Sequence, residues 1–238
     1  MNEYTKPVYY SETDIDGYIR LDAVFDELSN IINYHSESIG KGAKYLLDIG
    51  RTWFVIGWHI RIYDHAKLLE NITMKTWGHD LSAAFCSRNV TMKSGDKALV
   101  DADSLWAVYD MKRGMLTKIK DVDTEGYDYC DGLDMEGVDR KMSVNCTTLI
   151  GDVTFGRYDI DYNEHVNNMA YLKKAITYIE NERAISDIKV VYCKQTKFGE
   201  TLNLYMDEVE PSVYEMKMTG ESEADVRVVM RIEAKERL

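Results

Sequence analysis

Three side chains that could act on an acyl group lie close together in the stretch DIDYNEHVNN. They are Asp161, Asn163 and His165, spaced two residues apart, and an apolar pattern of helical spacing begins directly after them at Val166. An extended stretch would project these alternate side chains to the same side. The start of a helix adds unpaired N–H groups and the positive end of its dipole, which stabilise an oxygen atom that gains negative charge. Such a set suits attack on the carbonyl carbon of an acyl group.

Helix capping is the alternative explanation for the polar residues in this stretch. Asp and Asn are favoured capping residues, so Asn167 and Asn168 could be present only to satisfy the N–H groups of the helix. His165 is a poor capping residue and lies directly before the apolar face, so capping does not account for it.

The second half of the chain has the pattern of one helix followed by four strands. The helix is predicted from about residue 166 to residue 182, with its apolar residues on one side (Val166, Met169, Leu172, Ile176 and Ile179). Strands are predicted over residues 188–195, 201–209, 213–219 and 226–234.

The first half shows the same order of elements. An amphipathic helix begins at Leu21, and Gly40 supplies its stop. The strand predicted over residues 53–63 should bury one face, because apolar residues alternate along it (Phe54, Ile56, Trp58, Ile60 and Ile62). Further strands are predicted over residues 71–77, 83–92 and 98–109, with a hairpin turn at residues 94–96.

This similarity of the two halves predicts an internal repeat. Asp14-Ile15-Asp16 matches Asp159-Ile160-Asp161 at an offset of 145 residues, which places Tyr18 opposite Asn163 and Arg20 opposite His165. On this alignment only the second copy keeps the reactive set. The pattern favours an α+β fold of two modules with antiparallel sheets over a doubly wound parallel sheet.

The charge distribution indicates where the two modules divide. The net charge is −12, which makes nucleic acid an improbable partner. Eight acidic residues and no Lys or Arg lie between Asp121 and Asp139. We therefore expect an N-terminal module over residues 1–120, an acidic linker over 121–141 and a catalytic module over 142–238, although a solvated loop inside one domain is the alternative.

Several other classes of protein lack support in the sequence. The chain begins with neither a basic segment nor an apolar run and has no apolar stretch long enough to span a bilayer, so a cytoplasmic protein without membrane contact is expected. The four cysteines form no C-x-x-C pair and are expected to be reduced. His35, His59, His65 and His79 show no metal-ligand spacing, and no nucleotide-binding or serine hydrolase motif is present, so no metal or cofactor is expected.

The motif D-x-N-x-H-V-N-N before a helix resembles the acyl-acyl carrier protein (acyl-ACP) thioesterases. The stretch from Asp16 to His35 and the W-x-V-x-x-W strand that begins at Trp53 are similar to the N-terminal module of that family. The resemblance implies two tandem hotdog modules, each an antiparallel sheet wrapped around a long central helix. It also implies hydrolysis of the thioester between a fatty acyl group and acyl carrier protein in fatty acid biosynthesis.

The resemblance also assigns the site. Asp161, Asn163 and His165 take the active-site positions of the family, and Gln195 stands where the family has a glutamate on a strand of the second module. Thr196 stands at the place of a family cysteine, so a cysteine nucleophile is excluded at that position; we interpret the nearby Cys193 as a strand residue. Because glutamine cannot accept a proton as a base, Gln195 could only orient a water molecule or hold His165.

The implied reaction is hydrolysis by an activated water molecule. Asp161, or His165 polarised by Asp161, would be the general base, although direct attack by the carboxylate on the carbonyl carbon is also open. Asn163 and the helix N–H groups would hold the thioester oxygen. The first module would shape the acyl-chain pocket. The acidic carrier protein would dock on basic residues near the site, for which the candidates are Lys173, Lys174, Lys194 and Lys197.

Two other functions are compatible with the same residues. One is a thioesterase for coenzyme A esters, and the other is a non-catalytic protein that binds or senses acyl thioesters, which the glutamine at position 195 makes conceivable. A pure binding protein would not need the general base that Asp161 and His165 provide. The sequence leaves open the acyl-chain preference and whether the protein is a monomer or a homodimer.

Overall fold

The computed structural model describes residues 2–235. The chain forms two compact units, Met1–Val138 and Asp139–Leu238. Within each unit, every strand ladder among the described residues is antiparallel.

The first unit combines six strands with one long helix and two short ones. The strands are β1 (Asn2–Pro7), β2 (Arg51–Ile62), β3 (Asn71–Leu81), β4 (Cys86–Ser94), β5 (Lys97–Asp110) and β6 (Met115–Thr117). The helices are α1 (Leu21–Ser38), α2 (Ala43–Asp48) and α3 (Asp121–Thr124). The strand order is β1-β3-β4-β5-β2, and β6 pairs with β5.

Helix α1 is the central helix of this unit, as predicted. It packs against β1, β3 and β4 and buries one face, which includes Phe25, Leu28 and Ile31. The chain leaves the helix through Gly40, whose φ of +71° lies in the left-handed region that glycine adopts without a steric penalty. The hairpin turn at Gly95 and Asp96 is also confirmed, since Ser94 and Lys97 pair directly across it.

Strand β2 differs from the prediction of one unbroken buried face. A register shift between Val55 and Gly57 inserts an extra residue opposite β5. Before this bulge Val55 is the buried apolar residue, and after it Trp58 and Ile60 are buried, while Ile56 is only half-buried. A β-bulge exchanges the two faces of a strand, so simple alternation could not identify the inward side along the whole strand.

The second unit repeats the same order of strands. Its elements are β7 (Leu149–Thr154), α4 (Asn168–Ile176), β8 (Ile185–Tyr192), β9 (Thr201–Glu210), β10 (Val213–Thr219) and β11 (Val226–Ala234). The strands are arranged as β7-β9-β10-β11-β8, which is the arrangement of the first unit with β7 in the place of β1. The prediction of two α+β modules with antiparallel sheets is therefore confirmed.

Helix α4 is shorter than the predicted helix of residues 166–182. It ends at Ile176, where the hydroxyl of Thr177 donates to the carbonyl oxygen of Lys174 at 2.7 Å. Tyr178 and Ile179 then donate to carbonyl groups three residues back, which tightens the chain into turns. A threonine hydroxyl competes with backbone N–H groups for the carbonyl oxygens of the helix. The helix therefore ends before the apolar pattern does.

The acidic segment packs on the first unit. Asp123 is buried and forms an ion pair with Arg51, with Nε and Oδ1 2.6 Å apart. Further along, the carbonyl oxygen of Asp131 accepts from the indole of Trp77 at 3.0 Å. The first compact unit extends through these residues to Val138. The assignment of residues 121–141 as a linker stays a prediction.

Candidate active site

The residues Asp161 to His165 form a tight turn and not the extended stretch that was expected. The N–H of Asp161 donates to the carbonyl oxygen of His165 at 2.8 Å, and the N–H of Glu164 donates to the carbonyl oxygen of Asp161 at 3.1 Å. Glu164 has a φ of +63°, a left-handed conformation that is costly for a residue with a side chain. Ile160 and Val166 pair across the base of the turn, directly before the helix.

The carboxylate of Asp161 holds this turn together. Its Oδ1 accepts hydrogen bonds from the N–H groups of Asn163 at 2.8 Å and His165 at 3.3 Å. This arrangement is typical of an aspartate at the first position of an Asx turn. Oδ1 is thus used as an acceptor for backbone N–H groups. Oδ2 is the oxygen with which Asp161 could act on a substrate.

The first unit contains the same turn, which corrects the register of the internal repeat. Asp14 accepts from the N–H groups of Asp16 at 2.9 Å and Tyr18 at 3.0 Å, as Asp161 accepts from Asn163 and His165. Gly17, with a φ of +80°, takes the place of Glu164. The true offset is 147 residues, from Asp14 to Asp161, and the offset of 145 was wrong. The alignment of the two D-I-D triplets is two residues out of register, since Asp14 corresponds to Asp161 and not to Asp159.

The corrected register still leaves the reactive set to the second unit. Asn163 corresponds to Asp16, and His165 corresponds to Tyr18. The aspartate is common to both turns because it builds the turn. The amide and the imidazole are what distinguish the second unit.

Asn167 is the cap of helix α4. Its side-chain oxygen accepts from the N–H of Met169 at 2.8 Å, and its carbonyl oxygen accepts from the N–H of Ala170 at 2.9 Å. The capping interpretation therefore holds for Asn167, whereas Asn168 is the first residue of the helix. The N–H groups of Met169 and Ala170 are thus used by Asn167, and the N–H of Asn168 is the helical amide that precedes them.

The imidazole of His165 has one polar atom in an unusual environment. Nδ1 is buried and has no hydrogen-bond partner within residues 2–235, although the residue as a whole is half-buried. Buried polar atoms are almost always paired, because an unpaired one costs about 1–3 kcal/mol. A ligand or an ordered water molecule can complete the pairing of such an atom.

Gln195 lies in a loop and not at the end of the predicted strand of residues 188–195. Strand β8 ends at Tyr192, because the next N–H groups, of Cys193 and Lys194, both donate to the single carbonyl oxygen of Arg227. The side chain of Gln195 is exposed. The loop returns to the turn, since the carbonyl oxygen of Thr196 accepts from the N–H of Val166 at 3.0 Å. The structure thus brings the backbone of this loop next to His165.

The two residues beside Gln195 do not have the properties of nucleophiles. Thr196 is fully buried, and its hydroxyl lies 3.5 Å from the guanidinium group of Arg227. Partial burial of the thiol raises the pKa of Cys193, although the residue as a whole is exposed. A raised pKa keeps the sulfur protonated at neutral pH, which is the opposite of an activated thiolate. All four cysteines are free, and Cys86 and Cys146 are buried.

The four lysines near the site differ in how far they are neutralised. Lys194 pairs with Asp225 at 2.7 Å, and Lys174 pairs with Asp159 at 3.5 Å. Lys197 is exposed in the loop after Gln195, and Lys173 is half-buried on helix α4. Lys197 is therefore an exposed positive charge close to the turn that is not in an ion pair with another residue of the range 2–235.

Arg227 is a residue near the site that the sequence reasoning missed. It lies on β11, is 9% exposed, and donates to the carbonyl oxygen of Gln195 at 2.6 Å. A single arginine in a strand gives no sequence signal for such a role, because its partners are distant along the chain.

The described residues contain neither a cluster of metal ligands nor a membrane-spanning helix. Among residues 2–235, no group of three His, Cys, Asp or Glu side chains could hold a metal ion. In the same range, no helix has the length and apolar character needed to cross a membrane.

Comparison with known proteins identifies the family. Residues 1–127 match the model of the acyl-ACP thioesterase N-terminal domain, and residues 148–234 match the model of the acyl-ACP thioesterase C-terminal domain. No curated protein matches the sequence.

Solved structures of such enzymes share the fold. An acyl-ACP thioesterase from Bacteroides thetaiotaomicron superposes with a TM-score of 0.88 at 19% identity, covering 98% of this chain and 96% of that one. The 12:0-ACP thioesterase from Umbellularia californica gives a TM-score of 0.85 at 16% identity, covering 99% and 97%. The prediction of two hotdog modules is thereby confirmed. Because the family models together match most of the chain, this protein belongs to the acyl-ACP thioesterases, a family of thioester hydrolases.

Proposed function

We propose that this thioesterase releases free fatty acid from acyl carrier protein by hydrolysis in its second unit, in fatty acid biosynthesis. Asp161, Asn163, His165 and Gln195 form the proposed site. Acyl carrier protein is the proposed partner, and no cofactor takes part. The proposal assigns the acyl-chain pocket to the first unit, whose own turn carries Asp16 and Tyr18 where the second has an amide and an imidazole.

The observation that carries the residue assignment is the buried and unpartnered Nδ1 of His165. It lies in the turn that Asp161 closes, directly before the amides at the start of α4. A buried nitrogen without a partner among residues 2–235 is stabilised when a substrate or water molecule binds to it. Helix capping explains Asn167 but gives no reason for this nitrogen.

In the proposed reaction Asp161 is the general base. No hydrogen bond joins the side chains of Asp161 and His165, both of which are described, so Asp161 has no polarising contact with the imidazole. The oxygen of Asp161 that does not hold the turn takes a proton from water, and the water oxygen attacks the thioester carbon. General-base catalysis of this kind contributes about 10²–10⁴ in rate.

The remaining groups stabilise charge and complete the proton transfers. The side-chain amide of Asn163 and the N–H of Asn168 hold the carbonyl oxygen as it becomes negative. His165 orients the attacking water through Nδ1. When the carbon–sulfur bond breaks, the thiolate of the carrier takes the proton from Asp161, which leaves a free fatty acid and the carrier thiol. Gln195 helps to orient the water but accepts no proton.

A thiol-release assay tests this function. The wild-type protein and His165→Ala would be given saturated acyl groups of short, medium and long chain length, each attached either to acyl carrier protein or to coenzyme A. We expect faster thiol release from the carrier-linked groups and a loss of about 10²-fold or more in the variant.

Each alternative predicts a different result in that assay. Preference for the coenzyme A esters would identify a coenzyme A thioesterase. Binding of the acyl thioester without thiol release would identify a sensor. Tyr18→Ala, at the matched position of the first unit, is the control and should keep the wild-type rate.

A further inference from the structure

Arg227 connects strand β11 to the loop that carries Gln195. Its guanidinium group donates to the carbonyl oxygen of Gln195 at 2.6 Å, to Oε2 of Glu200 at 2.9 Å and to Oδ2 of Asp225 at 2.9 Å. Its own carbonyl oxygen accepts from the N–H of Cys193 at 2.8 Å. One nearly buried residue thus holds the loop from Cys193 to Glu200, at Cys193 through its carbonyl oxygen and at Gln195 and Glu200 through its guanidinium group.

The far side of this loop contacts the turn of the proposed site. Thr196, the residue after Gln195, accepts from the N–H of Val166, the residue after His165, at 3.0 Å. Two hydrogen bonds and one peptide unit therefore separate the guanidinium group from the backbone beside His165. A displacement of the loop would move Gln195 relative to His165.

The first unit builds the same loop without an arginine. Leu99 occupies the position of Arg227, and its carbonyl oxygen accepts from the N–H of Tyr63 at 2.8 Å, as that of Arg227 accepts from Cys193. The N–H of Ile19 donates to the carbonyl oxygen of Ala66 at 2.9 Å, which matches the bond between Val166 and Thr196. Leu99 is 0% exposed. A buried leucine is thus compatible with these two backbone hydrogen bonds in the unit that lacks the reactive set.

The neighbouring ion pair is common to both units, with its polarity reversed. Lys97 pairs with Asp64 at 2.7 Å in the first unit, and Asp225 pairs with Lys194 at 2.7 Å in the second. The ion pair therefore does not distinguish the unit with the reactive set from the other. The exchange of leucine for arginine does, and it carries the cost of desolvating a charged group.

We infer that Arg227 is a positioning residue for hydrolysis, which fixes the place of Gln195 in the loop beside the His165 turn by holding the Gln195 carbonyl oxygen. The inference rests on the proposed function. Arg227 does not touch the reacting atoms in this role. Its loss should lower kcat and leave KM nearly unchanged, because the misplaced group acts on the bound thioester.

The test compares Arg227→Leu, which copies the first unit, with Arg231→Leu. Arg231 is on the same strand and pairs with Glu215 and Glu233, outside the loop. With acyl carrier protein loaded with a saturated acyl group, we expect Arg227→Leu to lower kcat by roughly 10- to 100-fold and to change KM by less than about twofold. Arg231→Leu should keep the wild-type kcat.

Chemical rescue separates positioning from a structural role. Guanidinium ion at non-denaturing concentration should restore kcat of Arg227→Ala several-fold and should not affect wild type or Arg231→Leu, whereas a merely structural role predicts no rescue. Wild-type kcat in Arg227→Leu, or a loss of kcat in Arg227→Ala that guanidinium does not restore, would overturn the inference. Failure of the proposed function looks different, because the wild-type protein itself would then release no thiol.

Discussion

The N–H of Val166 donates to the carbonyl oxygen of Thr196 at 3.0 Å and joins two segments that are thirty residues apart in the sequence. One segment is the turn with Asp161, Asn163 and His165, and the other is the loop with Gln195. Neither segment is a regular strand or helix, so this bond and the contacts of Arg227 determine how the two meet. The position of Gln195 therefore depends on these tertiary contacts more than on strand β8, which ends at Tyr192.

The first prediction concerns the two matched aspartates. Asp161→Asn keeps an oxygen that can accept from Asn163 and His165, but it removes the base. We expect thiol release to fall by about 10²–10⁴, while the free energy of unfolding changes by less than about 1 kcal/mol. Steady-state kinetics and urea denaturation measure the two quantities. Asp14→Asn makes the same change in the turn of the first unit and should leave the rate unchanged; equal losses in both variants would contradict the assignment.

The second prediction concerns docking of the acidic carrier. Lys197→Glu reverses an exposed charge beside the site, so KM for acyl carrier protein should rise at low ionic strength and approach the wild-type value as salt screens the charges. Thiol release measured over a salt series would show this convergence. Lys67→Glu, at the matched position of the first unit, is the control. A KM for Lys197→Glu that is unchanged at low salt would exclude this docking site.

The third prediction is a dependence of stability on pH through His35. This residue is 2% exposed and accepts a hydrogen bond from Arg88. Burial lowers the pKa of His35 to about 4, and the charge of Arg88 acts in the same direction. Because the folded-state pKa lies below the ordinary value of about 6.5, the unfolded chain takes up the proton first as pH falls. The contribution of neutral, buried His35 to the free energy of unfolding is fully present above about pH 6.5 and is lost progressively between about pH 6.5 and 4.

The matched variant for this effect is His35→Gln, which retains a hydrogen-bond acceptor but does not titrate. The free energy of unfolding of the wild type, relative to the variant, should fall by roughly 2–3 kcal/mol between neutral pH and about pH 4.5. Urea denaturation at the two pH values measures this difference. A difference that is independent of pH would show that His35 is not neutral in the folded protein.

The fourth prediction concerns the buried ion pair of Arg51 and Asp123. Asp123→Ala leaves the guanidinium group buried without a carboxylate and should lower the free energy of unfolding by about 3–5 kcal/mol. The double variant Arg51→Met with Asp123→Ala should lose less than the sum of the two single changes. Urea denaturation of all four proteins completes the cycle, and additive losses would exclude the coupling. Asp48→Ala breaks the exposed pair with Lys44 and should cost less than about 1 kcal/mol.

Sequence patterns predicted local features well and their boundaries less well. Helix α1, the hairpin at Gly95 and the strands β9, β10 and β11 follow from periodicity and turn residues, which depend on neighbours in the chain. The bulge in β2 and the early end of α4 were missed. Both depend on contacts that periodicity does not contain: the register of β2 against β5, and the hydroxyl of Thr177.

The sequence by itself determined the α+β class, the presence of two similar modules and the set of Asp161, Asn163 and His165 before a helix. These features depend on residue type and short spacing, so they can be predicted without coordinates. Only the tertiary structure decided that Asp161 builds a turn shared with Asp14, and that Arg227 and Thr196 bring the Gln195 loop beside His165. The physical reason is that hydrogen bonds between residues far apart in the chain form only after strand pairing has fixed which segments meet.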